Sequence, residues 1–169
     1  MKKMTEKSLN EAMAGESMAH VKYLAFSDVA EREGFSNVAR LFKAISYAEQ
    51  VHATNHARNL GYINKTAENL QEAIDGETFE VDEMYAAYDA IAKLQGEKAA
   101  EKSIYFAREA EKIHAKMYAD AKAKVDTGSD IDIDTVYICP VCGFTHIGEP
   151  PANCPVCNVS KDKFVAFAK

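Results

Sequence analysis

"SYAEQVHATNH", residues 46–56, and "REAEKIHAKMY", residues 108–118, decide the fold of this chain. Both segments contain alanine and glutamate followed, after two further residues, by histidine; the pairs are Glu49 with His52 and Glu111 with His114. Residues three apart lie on one face of a helix, about one turn from each other. Each pair can therefore bind one metal ion, and the repetition predicts a helical protein with two similar metal-binding halves.

The two segments belong to a longer internal repeat. Glu16 follows a glycine, as Glu77 does, and these two glutamates are 61 residues apart. Glu49 and Glu111 are 62 residues apart, so the second half carries one inserted residue. Two similar helical hairpins that face each other predict a four-helix bundle with an approximate two-fold axis.

The first part of the chain, residues 1–126, is predicted to be all-α. It contains no proline, and turn signals at Gly34, Gly61 and Gly96 separate four long helices, with a short helical lead-in at residues 67–75. Long helices joined by short turns indicate an antiparallel pair, a longer crossover and a second antiparallel pair. We therefore predict a four-helix bundle for this region.

The rest of the chain has a different composition. Residues 127–134 form a polar, acidic linker, and residues 135–169, the tail domain, hold all four prolines and all four cysteines. Cys-x-x-Cys occurs twice, separated by eleven residues, at Cys139, Cys142, Cys154 and Cys157. This spacing predicts a tetrahedral four-thiolate metal site among short strands and turns, with the backbone amides of each Cys-Pro-x-Cys turn directed at sulfur. Iron and zinc both fit such a site.

Composition and charge argue against several classes of function. The formal net charge is −6 and there is no basic block, so neither nucleic acid nor an anionic membrane is expected as a partner. The two lysines near the N-terminus are not followed by the apolar run that a signal peptide or an anchor requires. The cysteines are confined to one segment, so no secreted disulfide framework is expected and we predict a cytoplasmic protein.

Carboxylates interrupt the apolar stripe of every predicted long helix. Together with the two motif histidines, the candidate site residues are Glu16, Glu49, His52, Glu77, Glu80, Glu111 and His114. Buried carboxylates are costly unless they are paired or bind metal, and arginines do not recur on these stripes. A single Glu-x-x-His is ordinarily a solvated ion pair, but two copies in a repeated frame favour a pair of iron or manganese ions.

Glu80 and four neighbouring side chains have other expected roles. Glu80 corresponds to an alanine in the first half, so it is one carboxylate more than a symmetric six-ligand site needs. Tyr23 and Tyr85 are expected to hydrogen-bond the metal-binding carboxylates. His20 and His56 lie one helical turn from candidate ligands, and we expect them to pack or to hydrogen-bond there instead of binding metal.

These motifs resemble those of the rubrerythrin family. The resemblance runs from "AGESMAHVKY" through "GETFEVDEMY" to "YICPVCG" and "KDKFVAF", and it covers nearly the whole chain. It implies a ferritin-like di-iron bundle joined to a rubredoxin-like domain, in which the four cysteines hold one iron ion and zinc is a substitute. It also implies reduction of hydrogen peroxide to water, as a defence against oxidative stress.

The resemblance assigns roles to individual residues. One iron would be held by Glu16, Glu49, His52 and Glu80. The other would be held by Glu77, Glu111 and His114. Glu49 and Glu111 would bridge the two irons, and Glu80 and His52 would exchange on the first iron with its redox state. Asn158 stands where the family usually has glycine, and asparagine tolerates the left-handed backbone expected there.

The resemblance also implies partners for this chain. The resemblance implies rubredoxin or an NAD(P)H-dependent reductase as electron donor, and a homodimer in which the tail domain of one chain approaches the bundle of the other.

Two alternative functions remain open. A ferritin-like ferroxidase or iron-handling protein would leave the cysteines without a use, and a zinc-ribbon interaction module on a helical scaffold would leave the inward carboxylates unexplained.

Overall fold

The computed structural model describes residues 1–168. In chain order its elements are α1 (Lys3–Arg32), α2 (Ser36–Leu60), α3 (Thr66–Phe79), a π-helix (Glu80–Met84), α4 (Tyr85–Gln95), α5 (Lys98–Val125), β1 (Val136–Ile138), β2 (Thr145–Ile147), a 3-10 turn (Lys161–Lys163) and β3 (Val165–Phe167). Long helices followed by a small sheet confirm the predicted fold class. The chain forms two compact units, Met1–Asn64 and a second that begins at Lys65. The domain boundaries drawn at residues 126 and 134 remain predictions.

The first unit is the antiparallel hairpin of α1 and α2. The residues buried between the helices are small: Ser27, Ala30, Ala39 and Ser46. The Ser27 hydroxyl donates to the Ala39 carbonyl at 2.9 Å, and the Ser46 hydroxyl donates to the backbone carbonyl of His20 at 2.9 Å. Small side chains allow the two backbones to approach closely, and the hydroxyls satisfy polar groups that would otherwise be buried without partners.

Two of the predicted turns are built on glycines in the left-handed conformation. Gly61 ends α2 with φ +80°, and Gly96 ends α4 with φ +72°. In each case the glycine N–H and the next N–H donate back to carbonyls of the last helical turn. A side chain is unfavourable at this φ, which explains why glycine stands at these positions.

In the second unit, α3, the π-helix and α4 follow one another without a break and pack against α5. The lead-in predicted at residues 67–75 is helical, and it continues without a break as the first part of the third long helix. Thr66 begins α3, and the backbone N–H of Lys65 donates to the Glu68 carboxylate at 3.1 Å. Gly76 lies within α3 and does not end it, since an isolated glycine weakens a helix without breaking it.

The π-helix of Glu80–Met84 accounts for the residue inserted in the second half of the repeat. The repeat offset is 61 at Glu77 and 62 at Gly96, so the insertion falls between these two positions, where the π-helix lies. A π-bulge is the usual way for a helix to absorb one extra residue, and such bulges occur often at functional sites. This one carries Glu80, the carboxylate without a counterpart in the first half.

The tail domain is built on a three-stranded antiparallel sheet in the order β2-β1-β3. Val136 of β1 pairs with Ile147 of β2 and with Phe167 of β3. Its core contains Phe144 and three of the four cysteines, all of them buried. The prediction of a strand-and-turn domain around the cysteines is confirmed. Among the described residues, no helix has both the length and the apolar content that a membrane crossing requires.

Candidate metal centres

Glu16 of α1 meets Glu49 and His52 of α2 in the first unit, and these three residues form the first cluster. Their potential ligand atoms all lie within 4.8 Å of one another. Nδ1 of His52 lies 3.1 Å from Oε2 of Glu49, one helical turn earlier, as the three-residue spacing requires. The Glu49 side chain is 16% exposed and that of His52 is 53% exposed, so the cluster is open on its histidine side.

The two carboxyl groups of the first cluster shift each other's pKa in opposite directions. A hydrogen bond to Glu49 is the largest cause that raises the pKa of Glu16, followed by burial. The same bond is the largest cause that lowers the pKa of Glu49, and His52 lowers it further. Two carboxylates this close repel each other unless a cation lies between them. A metal ion bound by this cluster would supply that cation.

The second cluster joins Glu77 of α3 to Glu111 and His114 of α5, with ligand atoms again within 4.8 Å of one another. Nδ1 of His114 lies 2.6 Å from Oε2 of Glu111 and 3.8 Å from Oε1 of Glu77. Burial, followed by the hydrogen bond to Glu111, raises the pKa of Glu77 to about 7. The second cluster is more enclosed than the first, since its side chains are between 18% and 26% exposed.

Glu80 and Tyr85 lie beside the second cluster without belonging to it. Burial and the negative charge of Glu111 raise the pKa of Glu80. Burial, followed by the charges of Glu80, Glu111 and Glu77, raises the pKa of Tyr85. The tyrosine hydroxyl is therefore placed among the carboxylates. The assignment of Glu80 to the same iron as Glu16 remains a prediction.

The other side chains singled out in the first unit have different surroundings. Nδ1 of His20 lies 2.9 Å from the carbonyl oxygen and 2.9 Å from the hydroxyl of Ser46, so this histidine helps to join α1 to α2. The ring of Tyr23 packs at 6.1 Å from those of Phe26 and Phe42. The charge of His56 acts on Glu16 and lowers its pKa, which places this histidine near the first cluster.

In the tail domain, the structure brings the four cysteine sulfurs within 4.8 Å of one another. Sγ of Cys139 lies 3.5 Å from Sγ of Cys157, and Sγ of Cys142 lies 3.5 Å from Sγ of Cys154. Metal–sulfur bonds of about 2.3 Å in a tetrahedron place neighbouring sulfurs about 3.8 Å apart. This four-cysteine cluster therefore has the size that a single four-thiolate metal ion needs.

Backbone amides point at the sulfurs, as the Cys-Pro-x-Cys turns predict. Burial raises the pKa of Cys142 even though the N–H of Phe144 donates to its sulfur. At Cys154 burial acts in the same direction, but the N–H groups of Cys157 and Val156, together with neighbouring thiols, outweigh it, and the pKa is lowered. Such amides stabilise thiolate charge, which a metal ion would then neutralise.

The two metal-binding turns have matching backbones. Gly143 follows the first with φ +80°, and its N–H donates to the carbonyl of Cys139 at 3.0 Å. Asn158 follows the second with φ +64°, and its N–H donates to the carbonyl of Cys154 at 2.9 Å. Asparagine thus adopts the left-handed conformation expected at this position, and the second turn keeps its hydrogen bond.

Comparison with known proteins agrees with this geometry. Residues 7–122 match the family model described as "Rubrerythrin", and residues 137–165 match the one described as "Rubrerythrin, rubredoxin-like domain". The chain belongs to the rubrerythrin family. It is 46% identical to Rubrerythrin-2 of Clostridium acetobutylicum, over 97% of both chains.

Other rubrerythrin relatives are more distant. Nigerythrin of Nitratidesulfovibrio vulgaris is 34% identical over 96% of this chain and 86% of its own. A solved structure described as the fully reduced, all-ferrous state of nigerythrin matches with a TM-score of 0.58 and 32% identity, over 96% of this chain and 86% of that chain. The matches extend along nearly the whole length of this rubrerythrin, so both parts of the chain have counterparts in its relatives.

The donor sets of this rubrerythrin fit the metals of its family. Each of the first and second clusters is a candidate iron-binding site of the carboxylate type, because each offers two carboxylates and one imidazole, ligands that suit iron. The four cysteines form a rubredoxin-like site, since four thiolates in a tetrahedron suit one iron or zinc ion.

The tail domain of this rubrerythrin contacts α5 of its own chain. Phe106 and Ile113 of α5 pack against the four-cysteine cluster, and Nε2 of His114 lies 2.7 Å from Oγ1 of Thr145. The expectation that the tail domain of one chain approaches the bundle of another remains a prediction. Thr145 was not among the predicted site residues, because its contact joins positions 31 residues apart and no motif marks it.

Proposed function

We propose that this rubrerythrin is a non-haem di-iron peroxidase that reduces hydrogen peroxide to water. In this proposal, the first and second clusters hold the two irons and the four-cysteine cluster passes electrons to them. Rubrerythrins are oxidoreductases. The observation that carries the proposal is the packing of the four-cysteine cluster against α5, the helix that bears Glu111 and His114. A one-electron centre placed next to a carboxylate–histidine centre suits the delivery of electrons to a reducible substrate.

The side chains of the clusters supply what peroxide reduction requires. When bound, a pair of ferrous ions provides the two electrons that cleave the oxygen–oxygen bond without releasing a radical. The carboxylates of the first and second clusters would hold positive charge, and Glu77, whose pKa is raised to about 7, would give up a proton when metal binds. In the proposal Glu49 and Glu111 would each hold iron. Glu80 offsets the charge that is added when the irons become ferric.

Further partners belong to the same proposal. The family uses rubredoxin-type electron donors, and we expect rubredoxin or an NAD(P)H-dependent reductase to refill the four-cysteine centre. A homodimer is supported by apolar side chains that are exposed in the single chain, among them Val38, Leu41 and Ile45 of α2. A cytoplasmic location is supported by four free cysteines arranged to bind metal.

The alternatives explain less of the molecule. A ferroxidase or iron-handling protein needs the carboxylate clusters but has no use for a four-cysteine cluster packed against α5. A zinc-ribbon interaction module needs the cysteines but not two clusters of carboxylate and histidine. Neither alternative requires an electron to pass from the tail domain to the helices.

Anaerobic titration with hydrogen peroxide tests the proposed function. Iron-loaded protein is reduced with dithionite, desalted, and mixed with measured amounts of peroxide while its visible spectrum is recorded. We expect the red absorbance of a ferric four-cysteine centre to vanish on reduction and to return on addition of peroxide, with no oxygen evolved. A tail domain that stays colourless because it binds zinc, or a red colour that peroxide does not restore, would contradict the proposal.

A further inference from the structure

We propose that Thr145 is a positioning residue that connects the four-cysteine centre to His114 of the same chain and fixes which ring nitrogen of His114 carries the proton. This inference rests on the proposed function, because it names the route by which the tail domain would serve the second cluster. Thr145 is the first residue of β2, and His114 is on α5.

The hydrogen bonds of Thr145 determine which atom donates to which between His114 and the tail domain. Oγ1 of Thr145 donates to the carbonyl of Gly143 at 3.0 Å, which uses the only proton of the hydroxyl. Nε2 of His114, 2.7 Å from the same oxygen, is therefore the donor of the second bond. A neutral ring with its proton on Nε2 has a lone pair on Nδ1, which lies 2.6 Å from Oε2 of Glu111, so that a metal ion or a carboxyl proton must lie between these two atoms. Thr145 thus leaves Nδ1 free to bind metal, the usual arrangement for a metal-binding histidine.

The contact is part of a closely packed surface. Thr145 is 6% exposed, and Ile113, which precedes His114, packs against the four-cysteine cluster. A Cβ atom on Gly143 would lie 3.6 Å from Cβ of Ala110, so the first metal-binding turn lies almost directly on α5. These contacts hold the hydroxyl and the imidazole together, and a buried hydrogen bond of this kind is costly to leave unmade.

The same atoms form a short connection for electrons. From Sγ of Cys142 the path runs through the backbone to the Gly143 carbonyl, then through two hydrogen bonds and the imidazole ring to Nδ1 of His114. An iron held by the four cysteines would supply one electron along this path, being oxidised from ferrous to ferric, and an iron held at Nδ1 of His114 would be reduced from ferric to ferrous. Two such transfers balance one hydrogen peroxide, which takes up two protons and yields two waters. A one-electron protein donor reduces the four-cysteine centre again.

The first test reads the proton on His114 and needs no turnover. Protein labelled with ¹⁵N-histidine and loaded with zinc at every site is compared as wild type, Thr145→Val and Thr145→Ser, and His114→Gln identifies the signal. We expect a slowly exchanging proton on Nε2 in wild type and in Thr145→Ser. In Thr145→Val, which keeps the shape but loses the hydroxyl, the signal should shift and exchange rapidly with water.

The second test follows electron transfer in the iron-loaded protein. Fully reduced samples are mixed with peroxide in a stopped-flow instrument, and the red absorbance of the ferric four-cysteine centre is recorded. We expect its appearance to be slower by about tenfold or more in Thr145→Val, a typical cost of removing the partner of a metal-binding histidine. Thr145→Ser should restore most of the rate. Thr135→Val, which removes another hydroxyl of the tail domain, should leave the rate unchanged.

The two measurements separate this inference from the proposed function. An unaltered Nε2 signal in Thr145→Val, or an unaltered rate of reoxidation, would overturn the role of Thr145. Failure of wild-type protein to be reoxidised by peroxide would overturn the proposed function, while the zinc-loaded samples would still report the hydrogen bond. Thermal unfolding of each variant, recorded alongside, shows whether a slower rate accompanies general loss of structure.

Discussion

Carboxylate oxygens of Glu77 in α3 and Glu111 in α5 lie within 4.8 Å of each other. The two acids come from different helices and meet in a partly enclosed place, where two negative charges would repel each other. A proton or a metal ion between them relieves that repulsion. The stability of the second unit in the metal-free protein is therefore coupled to pH through this pair.

The metal-free protein is predicted to lose stability as the pH rises from about 4.5 to about 7. The pKa of Glu77 is raised from 4.5 to about 7 by burial and by Glu111, so the folded state binds a proton more tightly than the unfolded state. The stabilisation is complete below the unfolded pKa and is lost as the pH passes the folded pKa, with a size of roughly 1 to 3 kcal/mol. Thermal unfolding of chelator-treated protein at pH 4.5 to 8 measures the effect.

Glu77→Gln provides the control, because the amide cannot titrate, and its unfolding temperature should depend less on pH. Glu72→Gln, an exposed substitution on the same helix, should retain the wild-type dependence. Metal binding has the opposite pH dependence, since the ion replaces the proton on Glu77, and its affinity should rise over the same range. Equal pH dependence in wild type and Glu77→Gln would show that this pair is not the source.

Removing a proposed iron-binding carboxylate is predicted to remove metal. Glu49→Ala and Glu111→Ala each delete the glutamate that stands closest to a cluster histidine, and the remaining acids lose their common cation. We expect lower iron content and a lower unfolding temperature of the metal-loaded protein. Elemental analysis and calorimetry measure both. Glu109→Ala, which deletes a carboxylate paired with Lys112, should keep its iron, and full iron content in both cluster variants would contradict the ligand assignment.

The four-cysteine cluster is predicted to be the point of electron entry. Cys142→Ser removes a buried thiolate, so the red chromophore should be lost and turnover with a protein electron donor should slow. A pre-reduced carboxylate centre in this variant should still consume one peroxide, because it already holds two electrons. Visible spectroscopy, steady-state turnover and a single-turnover measurement on one preparation separate these effects. Turnover at the wild-type rate would exclude the tail domain as the entry point.

Sequence spacing predicts contacts within a helix better than contacts between distant segments. The pairing of Glu49 with His52 follows from helical geometry alone, and the structure gives that pair. The change of repeat offset from 61 to 62 marks the insertion that the π-helix absorbs, although the sequence does not say how a helix accommodates it. Thr145 carries no such mark, because its hydrogen bond to His114 depends on how the tail domain packs against α5. The role of His20 likewise depends on a contact with Ser46, 26 residues away on the next helix, which the spacing of the sequence does not predict.

Glu80 is predicted to serve turnover more than assembly. It lies on the π-helix near Glu111, and the first and second clusters already offer six ligands without it. Burial raises the pKa of Glu80, so its charge is costly unless positive charge is added nearby, as happens when the irons become ferric. Glu80→Ala should therefore bind two irons but reduce peroxide more slowly, by about tenfold.

Iron stoichiometry and peroxidase rate, measured on the same sample of Glu80→Ala, test this prediction. Glu83→Ala is the matched control, because it removes an exposed carboxylate from the same π-helix and should change neither quantity. Wild-type turnover in Glu80→Ala would mean that the extra carboxylate has no part in the reaction. Complete loss of one iron would make Glu80 an ordinary structural ligand. The inserted residue would then serve the binding of iron and not the stabilisation of its ferric state.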